Sequence, residues 1–216
     1  GDKLGLIFEF LQLWAEGHNR AMQEFMLSQD DSTVPLKKSV NLIGLSMRIF
    51  DSLTMDQEAL RSATDATIDL LDKNMAFIIE AMQGPCTKVQ DYIVDETAVV
   101  VYAKRVITFV GKTFDRGDSL RKSPADDVKC RFILMNSLIK ACRVIAALME
   151  GRGGEEHQKV YLEVLESMNV GLFKAHLTRV HSWAKYLEKG IEEGESPLRT
   201  ESMWSKMCKV CWRPSG

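Results

Sequence analysis

The sequence predicts an all-α fold, either a multi-helix bundle or an armadillo-like α-solenoid with short turns, and three observations lead there. Apolar residues recur three or four positions apart over long segments, which is the period of a helix buried on one face. Gly, Pro, Asn or Ser marks most of the joins between those segments. The one stretch rich enough in β-branched residues to suggest a strand has no partner strand elsewhere.

In chain order, helices are expected at roughly 3–28 and 37–53. Thr54 followed by Gln57 has capping-box spacing, in which each side chain can satisfy an otherwise orphaned backbone N–H. From there Leu60, Ala63, Thr67, Leu71, Met75, Ile78 and Met82 form one stripe, with Asp65, Asp69, Asp72 and Glu80 off it, the three aspartates reading as a solvated face. The pattern stops at Gly84-Pro85-Cys86 and then resumes. "AVVVYAKRVITFV" lies in a segment, about 97–114, whose length favours a buried helix over a strand. Ser123-Pro124 reads as N-cap and first residue of a helix whose stripe is Val128, Phe132, Met135, Leu138, Cys142, Ile145 and Met149, opposite Lys129, Asn136, Lys140 and Arg143. That helix should stop at Gly151, with further helices at 155–168 and 171–189. Polar stretches at 115–124 and 190–197 read as linkers, and no exact sequence repeat at a fixed period is visible. The expected organisation is one helical domain over 1–194 and a tail over 195–216.

With 45% hydrophobic residues in 216, the chain can bury a substantial core. Its 28 Lys+Arg against 30 Asp+Glu leave a net charge of -2, so no global basic field draws in nucleic acid or anionic lipid. No stretch approaches the roughly 18 uninterrupted apolar residues of a membrane span, so a soluble segment is expected. Five cysteines, odd in number and mostly inside helical patterns, fit a reducing compartment. A start at Gly1 with no visible secretory leader suggests a fragment of a longer protein.

The chemical motifs are weak. Gly111-Lys112-Thr113 resembles the end of a P-loop, but Val106 stands where that motif needs Gly. Cys208 and Cys211 have the spacing of half a zinc site and no second pair, and His18, His157, His176 and His181 form no HExxH arrangement. Cys86, after Gly-Pro and near a helix N-terminus, could be a nucleophile, yet no partner base is identifiable. Asp65, Asp69 and Asp72 lack the alternating ligands and central Gly of a calcium loop. No catalytic, cofactor-binding or metal residue is therefore assigned, and no cofactor is expected. In the tail, Met203, Trp204, Lys206, Met207 and Lys209 belong to a basic amphipathic segment able to lie in the groove of a helical protein partner or on a membrane surface.

"EAMQGPCTKVQ" (80–90) resembles the "QGPC…Q" signature of the RIH-associated domain of inositol trisphosphate and ryanodine receptors. "GHNRAMQEFMLSQ" (17–29) is similar to that domain's opening, where His-Asn is followed by a glutamine, a bulky apolar pair and a second glutamine, and "LIKACRVIAALMEGR" (138–152) to its later helix. The resemblance covers about 17–152, with Val89 where the family has Asn, and 195–216 outside it. It implies a non-enzymatic, cytosolic α-helical part of a tetrameric endoplasmic or sarcoplasmic reticulum calcium-release channel, relaying movement toward the pore. Its partners would be other domains of the same channel chain. The motif residues His18, Asn19, Gln83, Gly84, Pro85, Cys86, Gln90, Glu150 and Gly151 are then structural, with Gln83 to Cys86 forming a corner. The alternative is a free-standing helical scaffold that binds another protein.

Overall fold

The computed structural model describes residues 2–29, 39–116 and 124–151, together with isolated helical positions between 158 and 181. In order come α1 (Asp2–Ala15), α2 (Arg20–Leu27), α3 (Leu42–Thr54), α4 (Gln57–Arg61), α5 (Asp65–Met82), α6 (Thr87–Glu96), α7 (Val99–Arg116) and α8 (Pro124–Met149). Among the described residues there is no strand, and the expected all-α fold is the observed one. The β-branched segment before Arg116 is helix α7, which buries Val99, Val100, Ala103, Val106, Ile107 and Val110.

Several helix starts are set by side chains that accept first-turn N–H groups. Asn19 accepts from Met22, Asn41 from Gly44, Asp56 from Glu58 and Thr64 from Thr67. Two expected long helices are in fact broken. Residues 3–28 divide at Gly17-His18-Asn19, where both Gly17 and His18 have positive φ. The capping-box helix does not begin at Thr54, which is the last residue of α3 with its hydroxyl donating to the Phe50 carbonyl. Asp56 caps α4 instead, and Thr64 starts α5 afresh. Sequence spacing alone could not separate these because the stripe Leu60, Ala63, Thr67 runs through the break in helical register.

α5 packs between α1 and α8, and α3 and α7 form a second layer across them. The short helices α2 and α6 touch each other at the end of the stack. The order long, short, long therefore occurs twice, as α1-α2-α3 and α5-α6-α7, and α8 opens a third unit. The offset is 67 positions, as from Gln23 to Gln90 (90 − 23), and it carries α1 onto the body of α5 and α2 onto α6. A repeat thus exists in structure where no sequence repeat was expected, because few side chains are identical across it.

Two faces also differ from expectation. Asp72, assigned to a solvated face, is 6% exposed because α5 has neighbours on both flanks. On α8 Met135, Leu138 and Ile145 of the expected stripe are buried, but Phe132 is 40% exposed, and the buried face is wider than the stripe, taking in Cys130, Leu134, Ser137, Ala141, Val144 and Leu148. Residues 129–149 satisfy a membrane span by length and composition, with mean hydropathy 1.7, contrary to the expectation for the whole chain. In the structure this helix packs on α5 and α7, which explains its apolar character without a bilayer. The expected N-cap Ser123, most of the linker 115–124, nearly all of 155–194 and the tail 195–216 lie outside the described residues.

Candidate functional site

The helix breaks stack into a ladder of corners. Each long helix of the first layer ends in a left-handed glycine, Gly17 at φ 73°, Gly84 at 91° and Gly151 at 69°. A side chain on the first corner fills the space beside the second. A Cβ on Gly84 would lie 2.5 Å from His18 Cβ and Cγ, and one on Gly151 would overlap the Pro85 ring. Glycine is required at both places for conformation and for room.

Glutamines tie the same corners together. Gln23 Nε2 donates to the carbonyls of Glu80 (2.7 Å) and Gln83 (2.9 Å) at the end of α5. Gln90 Nε2 donates to those of Ala147 (2.7 Å) and Glu150 (3.1 Å) at the end of α8. Each carboxamide thus takes up helix-terminal carbonyls that have no intrahelical partner. Both glutamines are buried, at 1% and 0% exposure, and both stand six positions after the corner glycine. Gln29 closes the other end of α2: its Nε2 donates to the carbonyls of Phe25 and Val40, and its Oε1 accepts from the Val40 N–H at 2.6 Å.

The structure therefore brings eight of the nine motif residues into three successive corners, and the ninth, Gln90, ties the second to the third from α6. His18 and Asn19 are exposed in the first, Gln83, Gly84, Pro85 and Cys86 make the second, and Glu150 and Gly151 the third. Cys86 is 1% exposed at the N-cap of α6 and makes no side-chain capping bond. Burial pushes its thiol pKa up, the reverse of what an activated nucleophile needs. Gly111, Lys112 and Thr113 lie inside α7, so no phosphate-cradling loop forms there. The proposed tail residues Met203, Trp204, Lys206, Met207 and Lys209, and Cys208 and Cys211, lie outside the described residues.

Sequence reasoning missed Gln23 as a site residue and missed the buried polar links between helices. Ser46 Oγ and Asn74 Oδ1 are 2.7 Å apart, joining α3 to α5, and Asp72 accepts from Ser137 and, at 3.2 Å, from Lys140, joining α5 to α8. Gln23 carried a legible signal, since Gly17 and Gln23 have the spacing of Gly84 and Gln90. The interhelical links carried none, because a polar residue on a helix does not declare which neighbour covers it.

Residues 2–106 match the family model described as RyR and IP3R Homology associated. Residues 2–106 are a domain of the RIH-associated family. That domain type belongs to ryanodine- and inositol trisphosphate-receptor calcium-release channels, not to enzymes. No curated relative matches the chain. The RIH-associated match contains the first two corners and ends inside α7, while the third corner continues the same geometry beyond it.

Proposed function

We propose that this chain is a helical coupling element of a tetrameric calcium-release channel, on the cytosolic side of the endoplasmic or sarcoplasmic reticulum membrane, passing displacement from regulatory domains toward the pore. In this reading residues 1–194 form one domain and 195–216 a tail. The observation that carries it, beside the family match, is the ladder of corners. Each unit is joined to the next by a filled glycine corner and a two-pronged glutamine, so the long helices move as packed bodies instead of hinging freely. Signals in packed helices travel by such rigid-body shifts between elements with discrete arrangements.

The test is Gln90→Ala in the channel that contains this domain, read by agonist-evoked calcium release and single-channel conductance. Loosening the joint should shift the agonist response several-fold while leaving conductance unchanged. Unchanged gating, with faster hydrogen exchange at the end of α8 proving the joint loosened, would reject a coupling role.

A further inference from the structure

The register of the repeat assigns a role to a face that the fold leaves open. On α1, Leu6, Phe10, Leu13 and Trp14 form one apolar stripe, 61, 52, 64 and 40% exposed, with the Phe10 and Trp14 rings 4.9 Å apart. The repeat offset carries these positions onto Lys73, Phe77, Glu80 and Ala81 of α5, and then onto Lys140, Val144, Ala147 and Leu148 of α8. In both later helices this face meets the first helix of the preceding unit. Lys73 reaches Glu9 of α1 at 3.1 Å and Phe77 stacks on Phe8 at 6.0 Å, while Lys140 reaches Asp72 of α5 at 3.2 Å. Phe77, Ala81, Val144 and Leu148 are all fully buried. The backbone repeats the message. Glutamines of the preceding unit hold the carbonyls of Glu80 and Gln83 on α5 and of Ala147 and Glu150 on α8, and the same register on α1 falls on Leu13 and Glu16.

We propose that α1 docks a helical hairpin of this same repeat class, supplied by another domain of the channel polypeptide. Its first helix covers Leu6, Phe10, Leu13 and Trp14, and its second carries a glutamine, six positions after a turn glycine, that donates to the carbonyls of Leu13 and Glu16. The face itself follows from the repeat, whereas the source of the hairpin rests on the channel reading above. A membrane is a poorer occupant, because a helix lying on anionic lipid carries a basic polar face and α1 holds Asp2 and Glu9 against Lys3 alone. A second copy of this chain is also poorer, since the Gln90 of its α6 is already engaged on α8.

The experiment places the photocrosslinker p-benzoylphenylalanine at Phe10, and separately at Leu6, in the full-length protein in its own cells, with the 69%-exposed Met55 as control position. Both sites face solvent, so the fold tolerates the change, and two positions guard against one poorly oriented probe. The expected product is an internal crosslink within one polypeptide. It should map to a helix followed by a glycine turn and a glutamine six residues on, and replacing that glutamine by Ala should cut the yield about threefold or more. A crosslink to residues 65–96 of a second copy, to lipid, to a separate polypeptide or to a segment lacking that spacing would overturn the proposal, as would yields no higher than at Met55. The gating measurement on Gln90 does not involve α1, so the two proposals can fail separately.

Discussion

The first joint of the ladder, from the α1–α2 corner to the α5–α6 corner, and the second, from there to the end of α8, perform one task with different materials. The first is wet. His18, Asn19 and Arg20 are exposed, Asn19 caps α2 with its side chain, and Arg20 pairs with Glu24 across one helical turn. The second is dry. Pro85 replaces the histidine, Cys86 replaces the capping asparagine and is buried, and Val89 stands at 0% exposure where the first joint has half-buried Met22. What is common to both is the glycine and the glutamine, so these define the joint, and the residues between them adapt it to its depth.

The largest expected effects test whether the glycines matter equally. Gly151→Ala would adopt a left-handed conformation costing about 1–2 kcal/mol and press on a rigid proline ring, for a total of about 3 kcal/mol by chemical denaturation. Gly84→Ala should cost somewhat less, because its obstacle is an exposed histidine, and His18→Gly in the same chain should restore part of the loss. If the double variant is no more stable than Gly84→Ala alone, the corners do not bear on each other.

Next come the glutamines. Gln23→Ala leaves two helix-terminal carbonyls without their donor and should lower stability by about 2–3 kcal/mol. Gln90→Ala should cost less, about 1–2 kcal/mol, because its buried Oε1 finds no donor among the described residues and its removal relieves that deficit. Equal losses would show that the dry joint gains nothing from shedding the orphaned oxygen.

Smaller effects separate capping from packing. Asn19→Ala should cost about 1 kcal/mol through the lost bond to the Met22 N–H. Cys86→Ser should stay within about 1 kcal/mol of the parent, since the hydroxyl can cap α6 and offset its own burial. Cys86 should react with a soluble thiol reagent only as the protein unfolds, and the half-buried Cys142 only slowly before then, burial having pushed both pKa values up, that of Cys142 to about 11. Rapid modification of Cys86 in the folded protein would contradict the dry joint.

The periodicity of α5, α7 and α8 was legible because burial on one side leaves an apolar stripe, and the Gly-Pro-Cys corner because few residues adopt such a turn. The breaks at Gly17 and at Ser62-Ala63-Thr64 were not, since helical register runs across them and only the tertiary contacts show that the axis changes. The repeat was hidden for a related reason. Its two glutamines and three glycines are conserved in position while the helices between them exchange Phe8 for Met75 and Leu11 for Ile78, which preserves packing without preserving letters. Asp72 was misplaced because the acidic spacing Asp65, Asp69, Asp72 fits a solvated face until α8 is laid against it.

Charge links between units sharpen the contrast between the joints most finely. Lys73 and Lys140 occupy the same register, but Lys73 pairs with Glu9 and Asp69 in water, whereas Lys140 meets an Asp72 carboxyl that is 6% exposed and also accepts from Ser137. Screening should make Lys73→Met nearly silent at physiological salt. Asp72 behaves otherwise: burial raises its pKa, and the Ser137 hydroxyl and the Lys140 ammonium pull it back only in part. A carboxyl whose folded pKa is raised contributes fully below the ordinary carboxylate range, and the contribution is lost as pH rises through the raised value. The stability of the parent relative to Asp72→Asn should therefore fall as pH rises above the ordinary carboxylate range, read from urea midpoints at fixed ionic strength. Parallel profiles would mean that Lys140 and Ser137 balance the burial completely. The inner joint would then be as indifferent to pH as the outer one.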